Sequence, residues 1–118
     1  MDGSDATRAF GALAHETRLA VFRRLIEAGP SGLPAGDIAR AADAPASTMS
    51  GHLATLERAG LVRSWRLARQ IFYAADVEGT RRLLDFLVRD CCEGRPDMCG
   101  DLARLAKACA PVKAGAKT

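Results

Sequence analysis

At 118 residues the chain is the size of one ordinary domain, and two separate cores would be hard to build from it. A hydrophobic fraction of 48% fits a globular protein, and with aromatics at only 5% the core must come mostly from Leu, Ala, Val and Ile. The formal charge of +3 is too small to establish a nucleic-acid partner by itself, and no apolar run approaches the ~20 residues that cross a bilayer.

Along the chain, residues 7–14 form a short apolar-rich segment with Phe10 and Leu13 at helical spacing. Glu16 to Ala28 predicts an amphipathic helix, with Leu19, Phe22, Leu25 and Ile26 on one face, stopped by Gly29-Pro30-Ser31-Gly32. A shorter helix is expected from Pro34 to Ala42, with Pro34 in its first turn, where a missing N–H costs little. After the turn Asp43-Ala44-Pro45, a helix from about Ala46 to Ala59 buries Met49, Leu53 and Leu56, and Gly60 ends it. Leu61 to Leu67 and Gln70 to Ala75 read as a β-hairpin. Asp76 is placed to cap a last long helix from Val77 to about Cys91, with a broad apolar face from Leu83, Leu84, Phe86, Leu87 and Val88. A further short helix over 97–110 and a disordered tail over 111–118 complete the reading, which makes 1–110 a single domain.

The expected fold is therefore mainly α with a small β-hairpin, in winged helix-turn-helix order. In that arrangement the second helix of the pair enters the major groove, and the hairpin lies along the backbone or minor groove. With Met49, Leu53 and Leu56 turned inward, Ser47, Thr48, Ser50, Gly51 and His52 are left facing out, and short hydroxyls suit close approach to phosphates and bases. Arg63, Arg66 and Arg69 lie on the hairpin. From Ala44 to Ala75, four Arg against one Glu give 4 − 1 = +3, a surplus equal to that of the whole chain. A phosphate-facing patch needs such a surplus, and a plain solvated face has the same composition.

The run Ser47-Thr-Met-Ser-Gly-His-Leu-Ala-Thr-Leu-Glu-Arg-Ala-Gly-Leu-Val62 resembles the recognition-helix pattern of the ArsR/SmtB metal-sensing repressors. Leu13-Ala-His-Glu-Thr-Arg-Leu19 is similar to the opening of their second helix, and Gln70-Ile-Phe-Tyr73 to their second wing strand. The similarity spans roughly residues 8–92. It departs at Gly51, where the family usually has a long polar residue, and at the wing turn Leu67-Ala68-Arg69, which lacks the usual Gly. The resemblance implies a homodimer on double-stranded operator DNA, with no membrane. It also fits the cytoplasmic location expected from the N-terminal Asp2 and Asp5, which do not read as a secretion signal.

Four cysteines, Cys91, Cys92, Cys99 and Cys109, lie in the last third of the chain and in a reducing compartment read as ligands or redox groups. Adjacent helical residues point about 100° apart, yet Cys91 and Cys92 can converge at a fraying helix end, and Gly94 and Pro96 allow a turn that returns Cys99. Three thiolates suit trivalent arsenic or antimony, but softness alone admits Zn(II), Cd(II) and Cu(I) as well. With Cys109 added, the set would describe tetrahedral zinc, and closely spaced thiols also oxidise reversibly. Cys91 also continues the stripe of Leu84, Leu87 and Val88, as a buried thiol would. The resemblance narrows these choices. No Cys cluster opens the helix at Pro34, and with only His15 and His52 the family's His/Asp/Glu zinc site on the last helix cannot be built. What remains resembles a subgroup that binds As(III) through a terminal Cys-Cys pair and one Cys beyond it, which implies Cys91, Cys92 and Cys99 as ligands of an As(III) or Sb(III) effector. The rival classes are a zinc/cadmium- or thiol-redox-responsive repressor, a structural zinc module, a DNA-binding protein with inert thiols, and a small thiol enzyme. Against the last, no Cys-x-x-Cys motif, phosphate-cradling loop or acid/base constellation stands near the pair.

Overall fold

The computed structural model of the protein describes residues 1–90. Its elements are α1 (Gly3–Leu13), α2 (Glu16–Ala28), β1 (Leu33–Pro34), α3 (Ala35–Ala41), α4 (Ala46–Arg58), β2 (Val62–Leu67), β3 (Gln70–Ala75) and α5 (Val77–Asp85). The last helix passes into a π-helical turn at Phe86–Asp90. The architecture is the expected one, mainly helical with a small antiparallel sheet in winged helix-turn-helix order. The expected end of the last helix at Cys91, the helix over 97–110, the tail over 111–118 and all four cysteines lie outside the described residues. No helix among the described residues is long and apolar enough to cross a membrane.

The first helix starts earlier than its apolar pattern suggests, because Asp2 and Asp5 form a capping box that satisfies two orphan N–H groups. Its core face is the small-residue stripe Ala6, Ala9 and Ala12, which lets α1 lie close to α2 and α4, while Phe10 stays outside at 43% exposure. On α2 the buried residues are Val21, Phe22 and Leu25. The expectation that Leu19 and Ile26 share that face is corrected: both are exposed. Seven residues apart, they form a second apolar stripe, rotated away from the one that meets the core.

Pro34 also differs from expectation. Its backbone is extended, and instead of sitting in the first turn it caps α3 from outside. Leu33 and Pro34 pair with Tyr73 and Phe72, which adds a third strand to the expected hairpin and gives the sheet order β1-β3-β2. An edge position tolerates Pro, since its missing N–H faces away from the ladder. On α4, Met49, Leu53 and Leu56 are completely enclosed, as their spacing predicts. Gly60 follows the helix with φ +80°, the left-handed conformation that ends it.

The wing turn solves its lack of Gly by placing Ala68 at φ 57°. A left-handed alanine costs about 1–2 kcal/mol, partly offset by the greater chain entropy that glycine loses on folding. Ala68→Gly is therefore expected to raise stability by about 0.5–1 kcal/mol, which urea unfolding would measure as a higher midpoint at unchanged slope.

Candidate nucleic-acid interface

The N-terminal half of α4 is open. Ser47, Thr48, Ser50 and Gly51 are exposed, and a side chain added at Gly51 would meet nothing within 4 Å. The helix is preceded by Pro45, which offers no side-chain cap, so the first amides of α4 are left for an external acceptor. Exposed hydroxyls over an uncapped helix start can accept and donate to phosphate and base edges together.

The structure places His52 differently from these neighbours. Its ring is half-buried, 4.7 Å between centroids from that of His15, and its Nδ1 lies 3.4 Å from Nη1 of Arg18. Burial first, then the charges of His15 and Arg18, hold its pKa below the ordinary imidazole range. His15 caps α2, its Nδ1 accepting from the Thr17 N–H at 3.2 Å.

The three hairpin arginines do not share one surface. In the β2–β3 register, Ser64 faces Tyr73 and Arg66 faces Ile71, whereas Arg63 faces Ala74 and Trp65 faces Phe72. Tyr73 is buried, and the Ser64 hydroxyl donates to Glu57 on α4 at 2.8 Å, so the Ser64–Arg66 side of the wing is the side turned toward α4. Arg63 lies on the other side. Its guanidinium sits 4.9 Å from the Trp65 ring centre and donates to the Pro30 carbonyl at 3.3 Å, while Trp65 stacks on Phe72. Arg69, exposed at the wing tip, completes the set. Arg66 and Arg69 are thus free to meet phosphate, and Arg63 is engaged in holding the wing to the turn after α2. Sequence spacing could not separate them, because the Pro30 contact spans 33 positions.

Each neutralised phosphate contributes about 0.9 to the slope of log K against log salt. Arg66→Gln and Arg69→Gln are each expected to lower the slope for duplex DNA by about one, and Arg63→Gln to leave it unchanged. Anisotropy titrations at several salt concentrations check this. Metal ligation is a separate matter. Among the described residues no group of three or more His, Cys, Asp or Glu is placed to hold an ion, and Cys91, Cys92 and Cys99 lie outside them.

A helix pair followed by a wing, with the second helix exposed at its start, defines the winged helix-turn-helix class. Residues 13–64 match the family model described as a helix-turn-helix domain. No curated protein matches the chain in sequence. Among solved structures, the chain is similar to an ArsR-like transcriptional regulator from a Rhodococcus species, at 25% identity over 89% of this chain and 92% of that one, with TM-score 0.67. It is also similar to reduced HlyU from Vibrio cholerae, at 29% identity over 75% and 90% of the two chains, TM-score 0.58. A third is the homodimeric winged helix-turn-helix DNA-binding domain of a possible ArsR-family regulator from Mycobacterium bovis, at 25% identity over 76% and 80%, TM-score 0.60. The domain match and these neighbours support a helix-turn-helix DNA-binding transcriptional regulator.

Proposed function

We propose that this protein is a homodimeric repressor that binds double-stranded operator DNA through α4 and the wing and leaves it when As(III) or Sb(III) binds Cys91, Cys92 and Cys99. The observation that carries the DNA-binding part is the open start of α4, on the same helix whose Glu57 accepts from Ser64 on the wing side that bears Arg66. Exposed apolar residues on α1 and on the π-helical turn, Phe10 and Leu87, supply surface for a second copy, and the homodimeric M. bovis neighbour supports that state. The effector part rests on the chemistry of three thiols close in sequence, in the stretch that follows the described residues. Effector binding releases DNA only by favouring a dimer shape that fits DNA less well.

The V. cholerae neighbour is described in its reduced form, which favours thiol oxidation as a second reading of the same cysteines. One experiment separates the two. A duplex is selected by the reduced full chain from a randomised pool, then titrated with the protein plus arsenite, antimonite, cadmium, zinc or peroxide. Arsenite or antimonite is expected to weaken binding by about tenfold or more, and a Cys91→Ser/Cys92→Ser variant to be insensitive. Release by peroxide alone favours the redox reading. Release of the double variant by arsenite overturns the ligand assignment.

A further inference from the structure

Three helices meet at one guanidinium. Arg18, on α2, donates through Nε to the Ala12 carbonyl at 2.7 Å. That carbonyl lies in the last turn of α1, where carbonyls lack helical partners and a cation is favourable. Through Nη1 the same side chain reaches Nδ1 of His52 on α4, with the His15 ring alongside. Arginine has only donors, so Nδ1 of His52 must be the acceptor and the ring proton sits on Nε2. Nε2 lies on the other side of the ring, directed away from Arg18. The charged or titratable groups acting on His52 are His15 and Arg18, and together with burial they favour its neutral form.

We infer that Arg18 is the positioning residue of the DNA-reading helix, tying α4 to the end of α1 and fixing His52 as an Nε2–H donor. The inference rests on the DNA-binding reading above. A fixed donor at this point of α4 pairs with acceptors only, such as guanine N7 or O6, thymine O4 or a phosphate oxygen, and it refuses the amino groups of adenine and cytosine. Arg18 thereby acts on sequence preference without touching DNA.

The test uses the full chain, the duplex it selects from a randomised pool, an unrelated duplex of equal length, and nitrogen-15 NMR of the imidazoles. In the free wild-type protein His52 should be the Nε2–H tautomer. In Arg18→Gln, and in Arg18→Lys, which keeps the charge but not the two-armed geometry, both tautomers should appear and the His52 titration should move. Affinity for the selected duplex should fall about tenfold, with the unrelated duplex and the salt slope unchanged. His52→Asn, which keeps an acceptor for Arg18 but removes the Nε2–H donor, should fold normally and show the same loss of preference. If Arg18→Gln does not fold, His52→Asn and the wild-type tautomer decide. An unchanged tautomer and preference in Arg18→Gln overturns the inference. So does an equal loss on both duplexes with a shallower salt slope, which would make Arg18 a phosphate contact. If the wild type selects no duplex, the DNA-binding reading itself fails, while the tautomer measurement still tests the Arg18–His52 tie.

Discussion

Gly79→Ala is expected to destabilise the domain by about 2–3 kcal/mol, although alanine is the better helix former. Gly79 is buried in α5, and a Cβ there would run into the backbone carbonyl of Gly60 in the turn that joins α4 to the wing. Helix propensity returns about 1 kcal/mol, but the obstructing atom is backbone and cannot rotate aside, so the clash wins. For a domain of this size the melting temperature should fall by roughly 10–20 °C. Gly51→Ala is the internal control: its added methyl meets nothing, and it should gain about 0.5–1 kcal/mol. Thermal or urea unfolding of both variants gives the comparison. Equal behaviour would contradict the close approach of α5 to the α4–wing turn.

The second large effect concerns binding. Ser50→Glu should weaken binding to the selected duplex by about a hundredfold while leaving stability within about 0.5 kcal/mol of wild type. Ser50 is exposed on the open side of α4, so a carboxylate there costs the fold little. In the proposed binding mode the same charge would face phosphate in a partly desolvated groove, where like charges cost several kcal/mol. A parallel Arg8→Glu variant, on exposed α1 surface, should change duplex affinity far less. Anisotropy titration at fixed salt measures both.

These expectations draw on features that differ in how visible they were in the sequence. The stripe Met49, Leu53 and Leu56 and the strand-forming run after Gly60 have strong local periods, and both appear where expected. Local pattern fails where a long-range partner decides. β1 is only two residues long, and Leu33 and Pro34 are strand residues solely because Tyr73 and Phe72 are there to pair with them. Leu19 and Ile26 are as apolar as Phe22 and Leu25, so periodicity cannot tell the stripe that meets the core from the one left outside. In the candidate site, Ser47, Thr48 and Ser50 were legible because exposure follows from the buried stripe on the same helix. His52 was not, since the contact that turns it toward α2 spans 34 positions. Nor was the different placement of Arg63, Arg66 and Arg69, which depends on strand register and on the Pro30 carbonyl.

That α4 and the wing are the surface presented to DNA is tested most directly by mapping. A nitrogen-15-labelled full chain would be titrated with its selected duplex while the backbone amides are followed. Changes concentrated in residues 46–52 and 66–70, with the amides of Phe10 and Ile26 quiet, are the predicted result. Changes centred on Phe10 and Ile26, with Ser47 to Gly51 unmoved, would contradict it.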